Sequence, residues 1–203
     1  MKSILLPTYF PSIFFWKIII ENNFLWMKKS YYKKQTLRNR TYIHGANGKL
    51  MLSIPIKHSG KNLRRYYEDI SIDSSSNWKK NHFKSIKFAY QSSPYFEFYE
   101  EIFFEIFSTN YCYLFDFNKT IFNKILELLD ITTNISFSKA YQPNPLFDDL
   151  RKLCEIKKNQ NKFELNYNQV FIQKNGFINN LSIIDLLFNV GPNSKSILKK
   201  IKL

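Results

Sequence analysis

The stretch Leu37-Arg38-Asn39-Arg40 places two arginines within three residues, in a chain that spells most of its positive charge as lysine. A guanidinium is a planar fork of donors that matches phosphate or carboxylate, so this spacing points to recognition of an anion. Tyr32 and Lys34 precede the pair, and an extended strand places them on one face with Arg40. At ~3.3 Å per residue, Lys34 and Arg40 then stand roughly 20 Å apart, too far for one small anion to touch both. Either the segment bends between Gln35 and Leu37, or the ligand is long, as a nucleotide sugar is. Tyr32, Lys34, Asn39 and Arg40 are therefore substrate-binding candidates, with a solvated charged strand as the competing reading.

Two further groups carry candidate chemistry. Trp78–Gln91 has helical spacing, with Phe83, Ile86 and Tyr90 on one stripe and Lys80, Lys84 and Lys87 opposite. Beside the apolar stripe runs a semi-polar one of Trp78, His82, Ser85 and Ala89. An imidazole there could face a cleft and act as a general base, whereas a helix histidine is more often a hydrogen-bonded structural residue. His58, after Ile-Pro-Ile-Lys, is a second candidate. Near the end of the chain Ser182, Asp185 and Asn189 share a face of an otherwise apolar helix, and such a stripe must meet water or a ligand. Ser182 with Asp185 three residues on also reads as a near capping box, with Asn189 and Gly191 as the stop. Asp185 could orient His82 if the two meet.

These groups need elements to position them. The stretch LPTYFPSIFFWK predicts a buried strand over Ser3–Leu6, a rigid connection over Pro7–Pro11 and a helix over Ser12–Asn22. Beyond the carboxyl end of such a strand an α/β sheet binds ligands, where the next helix presents backbone N–H groups. Tyr9 there offers a hydroxyl and a ring to a sugar, or is one more core aromatic. RTYIHGANGKLMLSIPI predicts a hairpin about Asn47-Gly48, and YEDISID another strand ending at Asp73. Helices are expected at Trp78–Gln91, Tyr95–Phe107 and Phe115–Leu129, then a strand at Asn134–Ser138. A loop-rich segment runs from about 142 to 168, and helices flank Gly191-Pro192. Strands alternating with helices predict a single α/β domain over residues 1–203, a sheet of several strands packed with helices.

Composition narrows the partners. The 203 residues are 44% hydrophobic with a net charge of +14, which ordinarily indicates nucleic acid, anionic membrane or a phosphorylated substrate. Lysine enrichment of the kind an AT-rich genome produces spreads the same charge without any partner, and the lysines are scattered. Cys112 and Cys154 lack Cys-x-x-Cys spacing, and His44, His58 and His82 lack metal-ligand spacing. No metal and no cofactor is expected, and five glycines leave no phosphate-cradling loop. From Ile4 to Met27 no uninterrupted apolar run reaches the ~20 residues that cross a bilayer, and no small-residue cleavage site follows. The expectation is a cytoplasmic protein without a membrane span.

Five stretches, LPTYFP, YYKKQTLRNRTYI, GANGKLMLSIPIKH, WKKNHFKSIKFAYQSSPYFEFYEE and FINNLSIIDLLFNVGP, follow the order and spacing of the WbqC-like family. The chain resembles a shorter member of that family over most of its length, least from about Ser138 to Asn166. Longer members have glutamine where Leu6 stands and tryptophan where Leu37 stands. The family is named for genes of O-antigen and other surface-polysaccharide clusters, and transfer of glycine onto a sugar has been suggested for some members. The resemblance thus implies a cytoplasmic transferase moving an acyl or aminoacyl group to an amino sugar, with a nucleotide sugar or other phosphorylated or acyl donor as partner. In that reading Arg40 and Lys34 hold phosphate, Tyr9 positions the sugar and His82 takes the proton. A basic nucleic-acid-binding protein, or a domain that binds a ligand without transforming it, are the alternatives.

Overall fold

A central parallel strand buries both faces and reads as a continuous apolar run. Ile4–Leu6 is such a run, and with Ser3 all four residues are buried. The computed structural model describes residues 2–21, 23–27, 29–57, 64–133, 135–138, 148–156 and 163–202. In chain order its elements are β1 (Lys2–Leu5), α1 (Ile13–Glu21), β2 (Asn23–Met27), β3 (Arg40–Gly45) and β4 (Gly48–Ser53). Then come α2 (Trp78–Tyr90), α3 (Phe96–Ser108), α4 (Leu114–Leu128), β5 (Ile135–Ser138) and β6 (Asp148–Asp149). The last three are α5 (Ile172–Asn175), α6 (Ile183–Val190) and α7 (Ser194–Lys200).

The main sheet has the order β5-β2-β1-β6 with every pair parallel, so β1 is internal and α1 is the crossover to β2. This is the α/β architecture expected, with β3 and β4 paired as a separate antiparallel hairpin. The hairpin turn is Ala46-Asn47, one residue earlier than its Asn-Gly pair suggests, and Gly48 supplies the positive φ of 98°. YEDISID is not a strand. A single 3-10 turn spans Tyr67–Asp69, after which Ser71 and Ile72 make one-residue bridges to Tyr113 and Ile56. The Tyr67 hydroxyl decides this, because it reaches inward to donate to the Pro7 carbonyl at 2.7 Å while accepting from Asn118 Nδ2.

Helix α1 is apolar on every side and is correspondingly buried from Ile13 to Ile19. Even Lys17 is enclosed, and its ammonium is paired with Glu21 at 2.5 Å and with the Lys199 carbonyl at 3.2 Å. Helices α2, α3 and α6 converge on an aromatic centre. Phe10 stacks on Phe103, and Phe188 packs against Tyr90, Phe96 and Phe103. Among the described residues no helix is long and apolar enough to cross a membrane.

The end of α6 shows how tightly the helices close. Gly191 takes φ +59°, and a Cβ placed there would lie 2.4 Å from the Tyr95 ring. The left-handed backbone and the overlap act together on any larger residue. Gly191→Ala is expected to lower unfolding free energy by about 2–4 kcal/mol in urea titration, with little change in the slope against denaturant.

Candidate functional site

The chain between β1 and α1 leaves the sheet at the carboxyl end of β1, where open α/β sheets bind their ligands. It meets the chain entering α6 there. Ile13 N–H donates to the Leu181 carbonyl and Ile183 N–H to the Pro11 carbonyl, each at 2.9 Å, so Ser12 and Ser182 form a two-sided bridge. Ser12 Oγ accepts from Phe15 N–H and Ser182 Oγ from Ile184 N–H, both at 3.4 Å, which makes each serine an N-cap. Asn180 Oδ1 accepts from Phe14 N–H at 3.0 Å. The first amides of both helices are therefore satisfied within the chain. The free N–H groups anticipated at the start of α1 are absent among the described residues, and what remains for a ligand is the positive end of each helix dipole.

Phe10 holds this junction in place. Its φ is +39°, costly for an aromatic residue, and its carbonyl accepts from Thr41 Oγ1 and Ser182 Oγ, each at 3.0 Å. Asn180, with φ +53°, is a second left-handed residue at the same place. Around the junction lies a pocket of about 220 Å³. Its walls include Thr8, Arg40, Lys49, Asn179 and Ser182, and among the described residues none that lines it carries a carboxylate. Arg40 Nε is buried and has no hydrogen-bond partner among the described residues. Lys49 Nζ stands 4.5 Å from the centre of the Tyr42 ring, and burial lowers its pKa. Two like helix poles and two cations thus share one hollow, an arrangement that favours an anion.

Of the residues singled out from the sequence, Tyr9, Arg40 and Ser182 border this pocket. Tyr9 borders it while its ring points into the core, and its hydroxyl lies 2.9 Å from His82 Nδ1. His82 is 7% exposed, with Trp78 and Phe107 edge-on to its ring. It therefore sits in the core instead of facing a cleft. Burial lowers its pKa to about 4, with a backbone hydrogen bond to Ser53 acting the other way. A neutral ring that donates to Ser53 and accepts from Tyr9 satisfies both nitrogens.

Asp185 lies behind the pocket, fully buried. Tyr90 OH donates to it at 2.7 Å, Tyr167 OH at 2.5 Å and Gln169 Nε2 at 2.9 Å. Burial raises its pKa while these donors oppose the shift. Among the described residues the hydrogen bonds of Asp185 and those of His82 share no partner. The polar stripe on α6 is answered by phenols and an amide from distant parts of the chain. Asn189, at the far end of α6, donates to the Asp185 carbonyl at 2.7 Å.

The segment before β3 does bend, with Gln35 at φ +58°, and the bend separates the basic residues. Arg38 turns inward between the rings of Tyr32 and Tyr67, 5.8 and 5.6 Å from their centres, and Lys34 is exposed. Burial raises the Tyr32 pKa to about 12. Asn39 is buried and donates to the Ile54 carbonyl at 3.0 Å. His58 lies outside the described residues. The sequence reading missed Thr8, Lys49 and Asn179. Thr8 and Asn179 sit inside stretches it had quoted, LPTYFP and FINNLS, but nothing local marks them as pocket-lining. Among the described residues no group of three or more His, Cys, Asp or Glu could hold a metal ion.

The depressed His82 pKa has a consequence for stability. The unfolded chain takes up a proton near the ordinary histidine value of about 6.5, the folded chain only near 4, so stability falls as pH drops through that window. The loss attributable to His82 is about 3 kcal/mol, on the order of 1.4 kcal/mol per pH unit. Denaturant titrations from pH 7 to 4 are expected to show a shallower loss in His82→Gln than in the parent chain.

The model of the WbqC-like protein family matches residues 7–162 and 152–197. Neither a curated protein nor a solved structure matches the chain. The family match takes in the proline turn, the hairpin that carries Arg40 and Lys49, and the entry to α6, so the pocket is built wholly from matched residues. The chain belongs to the WbqC-like protein family.

Proposed function

We propose that the chain is a transferase of surface-polysaccharide biosynthesis, and that the pocket at the junction of α1 and α6 seats the phosphate of its substrate. One observation carries this reading: Arg40, Lys49 and two helix N-termini converge on a hollow that, among the described residues, no carboxylate lines. Membership of the WbqC-like family supports the biosynthetic setting, and the reaction it favours is transfer of an acyl or aminoacyl group to an amino sugar.

In this reading Arg40 binds the phosphate through a planar guanidinium with an unsatisfied Nε, and Lys49 adds a point charge across the hollow. Ser182 and Phe10 position rather than bind, because both are committed to the turn that shapes the wall. His82 acts at one remove, fixing the Tyr9 hydroxyl and with it the connection between β1 and α1. Rate acceleration then comes from orientation and charge stabilisation at the anion. The concave, single-ligand scale of the pocket favours a small substrate over a nucleic-acid groove.

Removing the guanidinium tests the reading. Arg40→Met keeps the stem and loses the donors, and is expected to weaken binding of inorganic phosphate about 10- to 100-fold, the equivalent of one charge-assisted hydrogen bond. Its urea midpoint should stay close to that of the parent chain. Unchanged phosphate affinity by calorimetry would remove Arg40 from the site.

A further inference from the structure

Helices α2 and α3 lie side by side and run antiparallel. Phe83 meets Phe104 edge-on with ring centres 5.5 Å apart, and Lys87 Nζ reaches Glu100 Oε1 at 2.6 Å. Four residues forward on α2 is therefore four residues back on α3. Their inner faces fill the core, with Ile86 and Tyr90 buried on α2 and Phe96 and Phe103 on α3.

Their outer faces carry two features that solvation alone does not call for. The first is apolar. Phe88 is 71% exposed, Phe98 75% and Phe104 57%, and among the described residues no other phenylalanine is exposed. Three phenyl rings held in water on one helix pair mark a surface for contact. The register sets Phe88 level with Tyr99, within one residue of Phe98.

The second feature is charge. Helix α2 has four lysines and no carboxylate, whereas α3 has four glutamates and no lysine or arginine. Lysine enrichment accounts for the first row but not the second, because α3 is acidic in a chain of 30 basic and 16 acidic residues. Lys80, Lys84 and Lys87 are exposed on α2, and Glu97, Glu101 and Glu105 on α3. The face is thus half basic and half acidic, with phenyl rings on both halves.

Such a face matches itself. A two-fold axis between two copies, parallel to the helices, sets α2 of each on α3 of the other, antiparallel and at the same level. Lys80 and Lys84 then face Glu101 and Glu105 of the second copy, and Phe88 faces Phe98, each contact occurring twice. An axis across the helices would set lysine on lysine and glutamate on glutamate, and like charges oppose it. An anionic bilayer suits α2 but is repelled by α3.

We infer that the α2–α3 face joins two copies of the chain into a dimer about the axis parallel to these helices. The phenyl rings supply the affinity and the charge rows set the orientation. No residue lining the anion pocket belongs to α2 or α3, so the inference is independent of the proposed function.

Sedimentation equilibrium of the full chain is expected to show a dimer at micromolar concentration. Two charge-reversed chains, Lys80→Glu with Lys84→Glu and Glu101→Lys with Glu105→Lys, should each self-associate about 10-fold more weakly or worse, with unchanged far-UV circular dichroism. Mixed in equal amounts, they should associate to within about 3-fold of the parent, because every reversed charge again faces its opposite. Phe98→Ser leaves both charge rows intact and should weaken the dimer about 10-fold. A parent chain that stays monomeric up to about 100 μM would overturn the inference. Reversed chains or Phe98→Ser that dimerise as tightly as the parent would place the interface elsewhere and overturn it too. Failure of the mixed chains to associate would overturn the pairing of α2 with α3. A monomer that binds phosphatidylglycerol vesicles, and loses that binding with Lys80→Glu and Lys84→Glu, would assign the face to a membrane instead.

Discussion

The structure depends on a handshake between two helix beginnings. Ser12 and Ser182 cap α1 and α6, and the two caps are tied by reciprocal backbone hydrogen bonds between Pro11–Ile13 and Leu181–Ile183. Phe10 and Ser182, 172 positions apart in the chain, are joined by the Ser182 hydroxyl on the Phe10 carbonyl. This junction fixes where β1 ends and how α6 enters the core, and it holds Phe10 in a conformation that an aromatic residue does not take unaided. Placing two helix N-termini together also sets like poles side by side. That arrangement is unfavourable in isolation and becomes favourable when an anion lies between them.

The surroundings are consistent with that demand. Arg40 and Lys49 come from opposite strands of the β3–β4 hairpin and add positive charge, and among the described residues no lining carboxylate offsets it. Behind the pocket the buried charge of Asp185 is handled separately, by three donors from outside α6. One acidic group on α6 is thus fully engaged in anchoring the Tyr167–Gln169 segment and α2, and the hollow in front stays free of carboxylates. The division matters because a carboxylate facing the pocket would neutralise it.

Much of the scaffold was legible in the residues. Ser3–Leu6 reads as a buried parallel strand because it is apolar without alternation, and α2, α3 and α4 follow their helical stripes to within a residue or two. YEDISID misleads because its alternation is local while its conformation is set by Tyr67 reaching Pro7 and Asn118. That the proline turn, the Arg40 strand and the helix after Ser182 each carry polar groups among apolar neighbours could be read from the residues. Which side chains line the hollow could not. A helical wheel shows that His82 and Asp185 are polar among apolar neighbours, but not that Tyr9 answers one and Tyr90 and Tyr167 the other. The unsatisfied state of Thr8 and Asn179 is likewise a property of three-dimensional neighbours.

The central claim is that an anion belongs between the starts of α1 and α6. Its most direct test is a crystal soaked in tungstate, a phosphate analogue located by anomalous scattering. An anomalous peak within hydrogen-bonding distance of the Arg40 guanidinium, beside Ser12 and Ser182, is the predicted result. Tungstate bound at surface lysines, with no peak in the pocket, would contradict it.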